Sequence, residues 1–160
     1  NDRMNLFIRT MGKRIGPKAE TEEGRKKLLV VDGEPYWFSA DMALYFNYYI
    51  LQAYDCSSYA DLDNRFSQLV LQFSSKQTEE EIAKKLIVTE NFEAHSGTGG
   101  VTFTTRDGQS VPSYLGMATW QPLNGRKGGI GSYHMEKDYA ANPVYKYLRK
   151  GIQLMNPAVK

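Results

Sequence analysis

Long apolar runs, cysteine and histidine are all scarce in this chain, and each scarcity closes off a class of function. No run of about 18 or more apolar residues occurs, so no segment reads as a transmembrane helix and no membrane partner is expected. Cys56 is the single cysteine. That excludes an internal disulfide and a cysteine-rich zinc site, and it favours a reducing compartment, cytoplasm or virion. Its neighbours carry no cation that would stabilise a thiolate, so a small buried hydrophobe is the expected role. Only two histidines, His95 and His134, are present. The motif inventory is equally thin, with no G-x-S-x-G, no H-E-x-x-H and no kinase set. No cofactor is expected.

What the chain does have is an uneven charge layout and many tyrosines. Its 160 residues suit one domain with a real core. Net charge is only +2, yet residues 1–29 carry eight basic against four acidic groups, and residues 120–160 carry seven against two. The centre is acidic, with five basic against twelve acidic groups. Basic ends suit a nucleic-acid backbone, or the acidic middle of a second copy in a homo-oligomer. Eleven tyrosines favour half-buried surfaces and stacking.

Periodicity divides the chain into a basic N-terminal helix with a polar linker, residues 1–27, and a single α+β domain, residues 28–160. Met4, Phe7, Ile8, Met11 and Ile15 repeat at helical spacing. Asp32-Gly33 reads as a hairpin turn. Ser39 reads as the cap of a helix carrying Met42, Phe46, Tyr49, Ile50 and Ala53. Ser58 reads as the cap of another carrying Leu62, Phe66, Leu69, Val70 and Phe73. Thr78 with Glu81 forms a capping box. Beyond Leu86 the period shortens, with further hairpins predicted at Asp107-Gly108 and Asn124-Gly125. A last helix carries Val144, Leu148, Ile152 and Met155. The fold class expected is α+β, with helices packed on one face of a curved, mainly antiparallel sheet built from Asp-Gly and Asn-Gly hairpins.

Residues 123–139, LNGRKGGIGSYHMEKDY, are glycine-rich and basic. Their spacing fits neither phosphate-binding glycine pattern, and a strand-like segment follows rather than a helix, so a hairpin tip is expected. Arg126 and Lys127 at such a tip, flanked by Trp120 and Tyr133, form a basic and aromatic surface suited to a nucleic-acid strand. Arg9, Lys13, Arg14, Lys146, Arg149 and Lys150 extend it. The leading expectation is therefore a non-catalytic binding and assembly module, a viral or phage structural protein touching nucleic acid or neighbouring subunits.

A second expectation is enzymatic. Glu93 with His95, and His134 with Glu136, are each two residues apart, so on strands each pair shares a face. Adjacent strands would bring two imidazoles and two carboxylates together for metal-assisted hydrolysis. A third expectation comes from residues 32–48, DGEPYWFSADMALYFNY. This stretch resembles the opening of the BRO-type N-terminal domain of phage antirepressors, with Gly33, Glu34, Pro35, Trp37, Asp41, Ala43 and Tyr48 in order. Asn47 stands where that family commonly has glycine. The resemblance implies a DNA-binding phage-type regulator.

Overall fold

Parallel pairing through crossovers organises the sheet of this protein, whose computed structural model describes residues 2–157. The elements run α1 (Asp2–Gly12), α2 (Glu22–Arg25), β1 (Val30–Gly33), β2 (Tyr48–Gln52), α3 (Tyr59–Phe73), α4 (Glu79–Lys85) and β3 (Leu86–Asn91). Then follow β4 (Thr102–Thr104), β5 (Ser110–Pro112), α5 (Ser113–Thr119), β6 (Gly129–Tyr133) and α6 (Lys146–Met155). Three 3-10 turns lie at Pro35–Trp37, Ala40–Leu44 and Met135–Ala140. A four-stranded sheet has the order β1-β2-β3-β6, and β4 with β5 forms a separate pair.

This overturns the antiparallel expectation. β1 and β2 run parallel, with Val30 opposite Tyr48 and Gly33 opposite Leu51. Gly33 ends β1 with φ of 121°, so Asp32-Gly33 leaves a strand and turns no hairpin. Parallel strands need a long return path, and no two-residue turn can supply one. β3 is buried over most of its length, as strands covered on both faces are. Of the predicted hairpins only Asp107-Gly108 joins antiparallel partners, β4 and β5, with Phe103 opposite Val111. Asn124-Gly125 instead follows a helix, α5, where a strand was predicted.

By internal contacts the chain forms two units, described separately here. The first comprises Asn1–Leu51, Phe66–Ile87 and Pro122–Gly128. Its core holds Met42, Phe46, Tyr49, Leu69, Phe73 and Ile82, all fully buried. Phe46 meets Tyr49 edge-on at 6.1 Å, and Tyr49 lies 5.3 Å from Phe73. The Tyr49 hydroxyl donates to Gln77 Oε1 at 2.6 Å, and burial pushes its pKa upward. Tyr49 and Ile50 belong to β2, and the helix predicted to follow Ser39 is only the short turn Ala40–Leu44. Four large aromatic or branched residues in a row favour an extended chain, here with Tyr49 and Leu51 turned into the core.

The capping box forms as predicted. Thr78 Oγ1 accepts from the Glu81 amide at 3.2 Å, and Glu81 Oε2 accepts from the Thr78 amide at 2.8 Å. Thr78→Ala is expected to cost about 1 kcal/mol, the usual worth of a cap, read as a lower urea midpoint with an unchanged slope.

The second unit comprises Gln52–Arg65, Val88–Gln121 and Gly129–Lys160. Phe92, Phe103, Tyr114, Met117 and Trp120 fill its core, with Phe92 against Tyr114 at 4.9 Å. Trp120 Nε1 donates to Asp63 at 2.8 Å. Cys56 is buried, and burial raises its thiol pKa to about 11, so it packs as a small hydrophobe.

Candidate functional site

In open parallel sheets, ligands sit beyond the carboxyl ends of the strands, where loops diverge and polar groups gather. Within the second unit those ends bring together three short segments. β2 runs out at Gln52 into Ala53, Tyr54 and Asp55. β3 runs out at Asn91 into Phe92, Glu93 and a turn that reaches His95. β6 ends at Tyr133, followed by His134 and Glu136. The Phe92 amide donates to the Tyr133 carbonyl at 3.0 Å, which ties the second segment to the third.

Two of these residues hold left-handed backbone, Asp55 at φ 60° and His134 at φ 52°. Side chains other than glycine adopt that region at a cost of about 1–2 kcal/mol, and such strain clusters at functional sites. Tyr54 and Tyr133 rings lie 6.4 Å apart, and Tyr133 meets the His134 ring edge-on at 4.2 Å. His134 Nδ1 is 2.6 Å from Glu136 Oε1, and its Nε2 is 4.0 Å from Glu93. The hydrogen bond from His134 holds the Glu136 carboxyl below its ordinary pKa.

A second cluster lies at the ends of β2 and β3. His95 Nε2 is 2.9 Å from Asp55 Oδ1. Glu90, with no exposed surface, accepts from the Asn91 amide at 2.7 Å and from the Ser113 hydroxyl. Potential ligand atoms of Asp55, Glu90 and His95 all lie within 4.8 Å of one another.

Glu93, His95, His134 and Glu136, singled out in the sequence, all lie at these strand ends, but their grouping differs from the one expected. Glu93 and His95 sit in a turn beyond β3, so they do not share a strand face, and His95 turns to Asp55 while Glu93 faces His134. Asp55, Glu90 and Tyr54 were missed. Their signal was available, since YYILQAYD and LIVTENFE are apolar runs that end in acidic groups, as buried strands do at a site.

The basic residues fall elsewhere. Lys127 is 3% exposed and Trp120 is 1% exposed, so neither presents a side chain at a tip. Gly128 binds the Ala83 and Leu86 carbonyls through its amide, and a Cβ there would lie within about 3.2 Å of Leu86 O. The glycine-rich loop therefore packs closely against the end of α4 in the first unit. Arg9 pairs with Asp41 at 3.8 Å. Lys13, Arg14 and Arg126 are exposed. Lys146, Arg149 and Lys150 line a groove of about 470 Å³ with Leu115, Pro143 and Tyr147, apart from the strand ends.

A mainly parallel sheet with helices is the arrangement of a TIM-barrel-type fold. The model for glycoside hydrolase family 18, BT1044-like, matches residues 1–154, and the chain belongs to that family. A selenomethionine structure of BT1044, a Glu→Gln variant, is 31% identical with a TM-score of 0.79, over 98% of this chain and 45% of that one. Two structures of an endo-beta-N-acetylglucosaminidase from Cordyceps militaris share the fold at 23% identity and a TM-score of 0.64. They cover 94% of this chain and 49% of theirs. One is in apo form, and the other is a double variant in complex with fucosyl-N-acetylglucosamine-Asn. The chain thus spans a little under half the length of each solved relative. No curated protein matches it by sequence.

Family membership corrects the functional expectations. The viral or phage assembly module, the nucleic-acid surface and the DNA-binding regulator are all replaced by a glycoside hydrolase-like protein. Residues 32–48, which resemble the antirepressor domain, lie wholly inside the matched family region and form the end of β1, two short turns and the start of β2. The metal-assisted reading built on Glu93, His95, His134 and Glu136 falls with them, because the strand pairs it required do not form. Among the described residues no helix is long and apolar enough to cross a membrane.

Proposed function

We propose that the second unit contributes the sugar-contacting strand ends of a glycosidase acting on glycans that contain N-acetylglucosamine. The observation carrying this reading is the grouping of Tyr54, Tyr133 and His134 rings with the Glu93 and Glu136 carboxylates beyond the strands, with the Asp55 carboxylate, paired to His95, next to Tyr54 in the chain. A pyranose offers an apolar C–H face and a rim of hydroxyls. Aromatic faces match the first, and carboxylates, which only accept hydrogen bonds, match the second. Family 18 chemistry is substrate-assisted, so the usual requirement for two protein carboxylates at fixed separation does not apply. The strand-end groups named here are assigned to binding and orientation.

Fucosyl-N-acetylglucosamine-Asn is the probe of choice, because a relative with the same fold holds it. Titrating it into isotope-labelled protein should shift amides near Tyr54, Glu93 and His134. Tyr133→Ala should weaken binding about tenfold, the worth of one stacked ring at roughly 1.4 kcal/mol. Shifts confined to the α6 groove, or no shifts at roughly 10 mM sugar, would sink the reading.

A further inference from the structure

We propose that His95 is a positioning residue that acts through Asp55, fixing that carboxylate in the orientation that receives a sugar hydroxyl. The inference rests on the reading that these strand ends bind a glycan.

Asp55 stands at the exit of β2, and its side chain is 70% exposed. A free carboxylate there would rotate, and a ligand would have to order it at an entropic cost. Two features of the structure remove that freedom. The backbone is set at φ 60°, which fixes where the side chain leaves the chain. His95 then lies 2.9 Å from Oδ1, with its own side chain only 22% exposed. An ionised carboxylate can only accept, so the contacting Nε2 carries the hydrogen. One bond at Oδ1 leaves Oδ2 available to a ligand.

His95 is itself backed by fixed groups. It sits in the turn that follows β3, where the Thr98 hydroxyl donates to the His95 carbonyl at 3.0 Å. Glu90, fully buried and held by Ser113 and the Asn91 amide, has a carboxylate oxygen within 4.8 Å of the nearest ligand atoms of His95 and Asp55. The direct contact is the one between His95, largely buried, and the exposed Asp55. A hydrogen bond from a partly buried, backbone-anchored imidazole orients a contact group in the way that outer hydrogen bonds orient groups in designed binding sites.

The test is a double-mutant cycle on the full chain, read as the dissociation constant for fucosyl-N-acetylglucosamine-Asn. His95→Ala and Asp55→Ala should each weaken binding about tenfold, and the double variant should be no weaker than Asp55→Ala alone. His95→Gln keeps an amide N–H near the Nε2 position and should bind within about threefold of the unaltered protein, a rescue that a merely space-filling role would not require. Unchanged binding in His95→Ala overturns the inference while leaving the glycan reading intact. Additive losses overturn it too, since His95 would then touch sugar itself. Weaker binding on adding a chelator would replace the hydrogen bond with a cation held by Asp55, Glu90 and His95. Failure of the unaltered protein to bind removes the glycan reading, and the role of His95 with it.

Discussion

Gly100→Ala should lower folding stability by about 3–5 kcal/mol, an unusually large effect for adding one methyl group. Three costs combine. Gly100 has φ of 108°, outside the regions open to side-chain-bearing residues, which costs about 1–2 kcal/mol. Its Cβ would enter the Ser113 hydroxyl and lie 2.8 Å from Glu90 Oε2. Overpacking of that kind costs about 1–3 kcal/mol. Displacing Ser113 also takes a donor from a fully buried carboxylate, at about 1–3 kcal/mol. Gly108→Ala is the matched control, with φ of 78° and nothing within 4 Å of its Cβ. It should lose only the backbone part. Thermal unfolding of both variants checks this, with a fall of roughly 10 °C expected for Gly100→Ala. Equal falls in the two would show that the Glu90 pocket has room to spare. The site has a stake in the outcome, because the Glu90 carboxylate lies within 4.8 Å of the His95 and Asp55 ligand atoms.

Local signals in the sequence were read correctly where the structure they specify is local. The Thr78 and Glu81 box, the Asp107-Gly108 turn and the helix over Leu62 and Phe66 each depend on partners within a few residues. Parallel pairing has no such signal. Tyr48 lies opposite Val30 because of a crossover between them, and nothing in either run states the partner. The spacing of Met42, Phe46, Tyr49 and Ala53 imitates a helix because β2 is buried on alternate residues and preceded by a tight turn. α5 was hidden for a different reason. Its residues Ser113, Tyr114 and Met117 have modest or mixed propensity, and burial of its Gly116 against the Phe103 ring is a tertiary choice.

The same division holds for the site. His95 and His134 were conspicuous because they are the only imidazoles. Their partners depend on which strands are neighbours, so Asp55, forty residues from His95, was out of reach. Charge misled most. Basic residues at both ends were read as one surface, whereas Arg9 and the α6 cations belong to separate units and Lys127 is buried.

Lys127 leads to the second large effect. Burial, with the nearby Arg126 charge adding to it, pushes its pKa down from the usual lysine value to about 7. A group whose folded pKa lies below its unfolded value binds its proton more tightly in the unfolded chain. Stability from this residue is therefore fully present above about pH 10.5. It falls as pH drops toward 7, by about 1.4 kcal/mol per unit, and levels off below that. Over the whole window the loss approaches about 5 kcal/mol. Lys127→Met removes the titration and keeps a side chain of similar length. Urea midpoints for the two proteins should therefore diverge as pH falls from about 10 to 7, with the methionine variant the more resistant at neutral pH. Other lysines and tyrosines titrate in the same range, but they contribute equally to both curves and cancel in the difference. Parallel curves would mean that Lys127 keeps its charge in the folded protein, held by a partner strong enough to offset burial. Either way the residue that looked like an exposed contact for phosphate is decided by what surrounds it at the end of α4, where the glycine-rich loop closes on the Ala83 and Leu86 carbonyls.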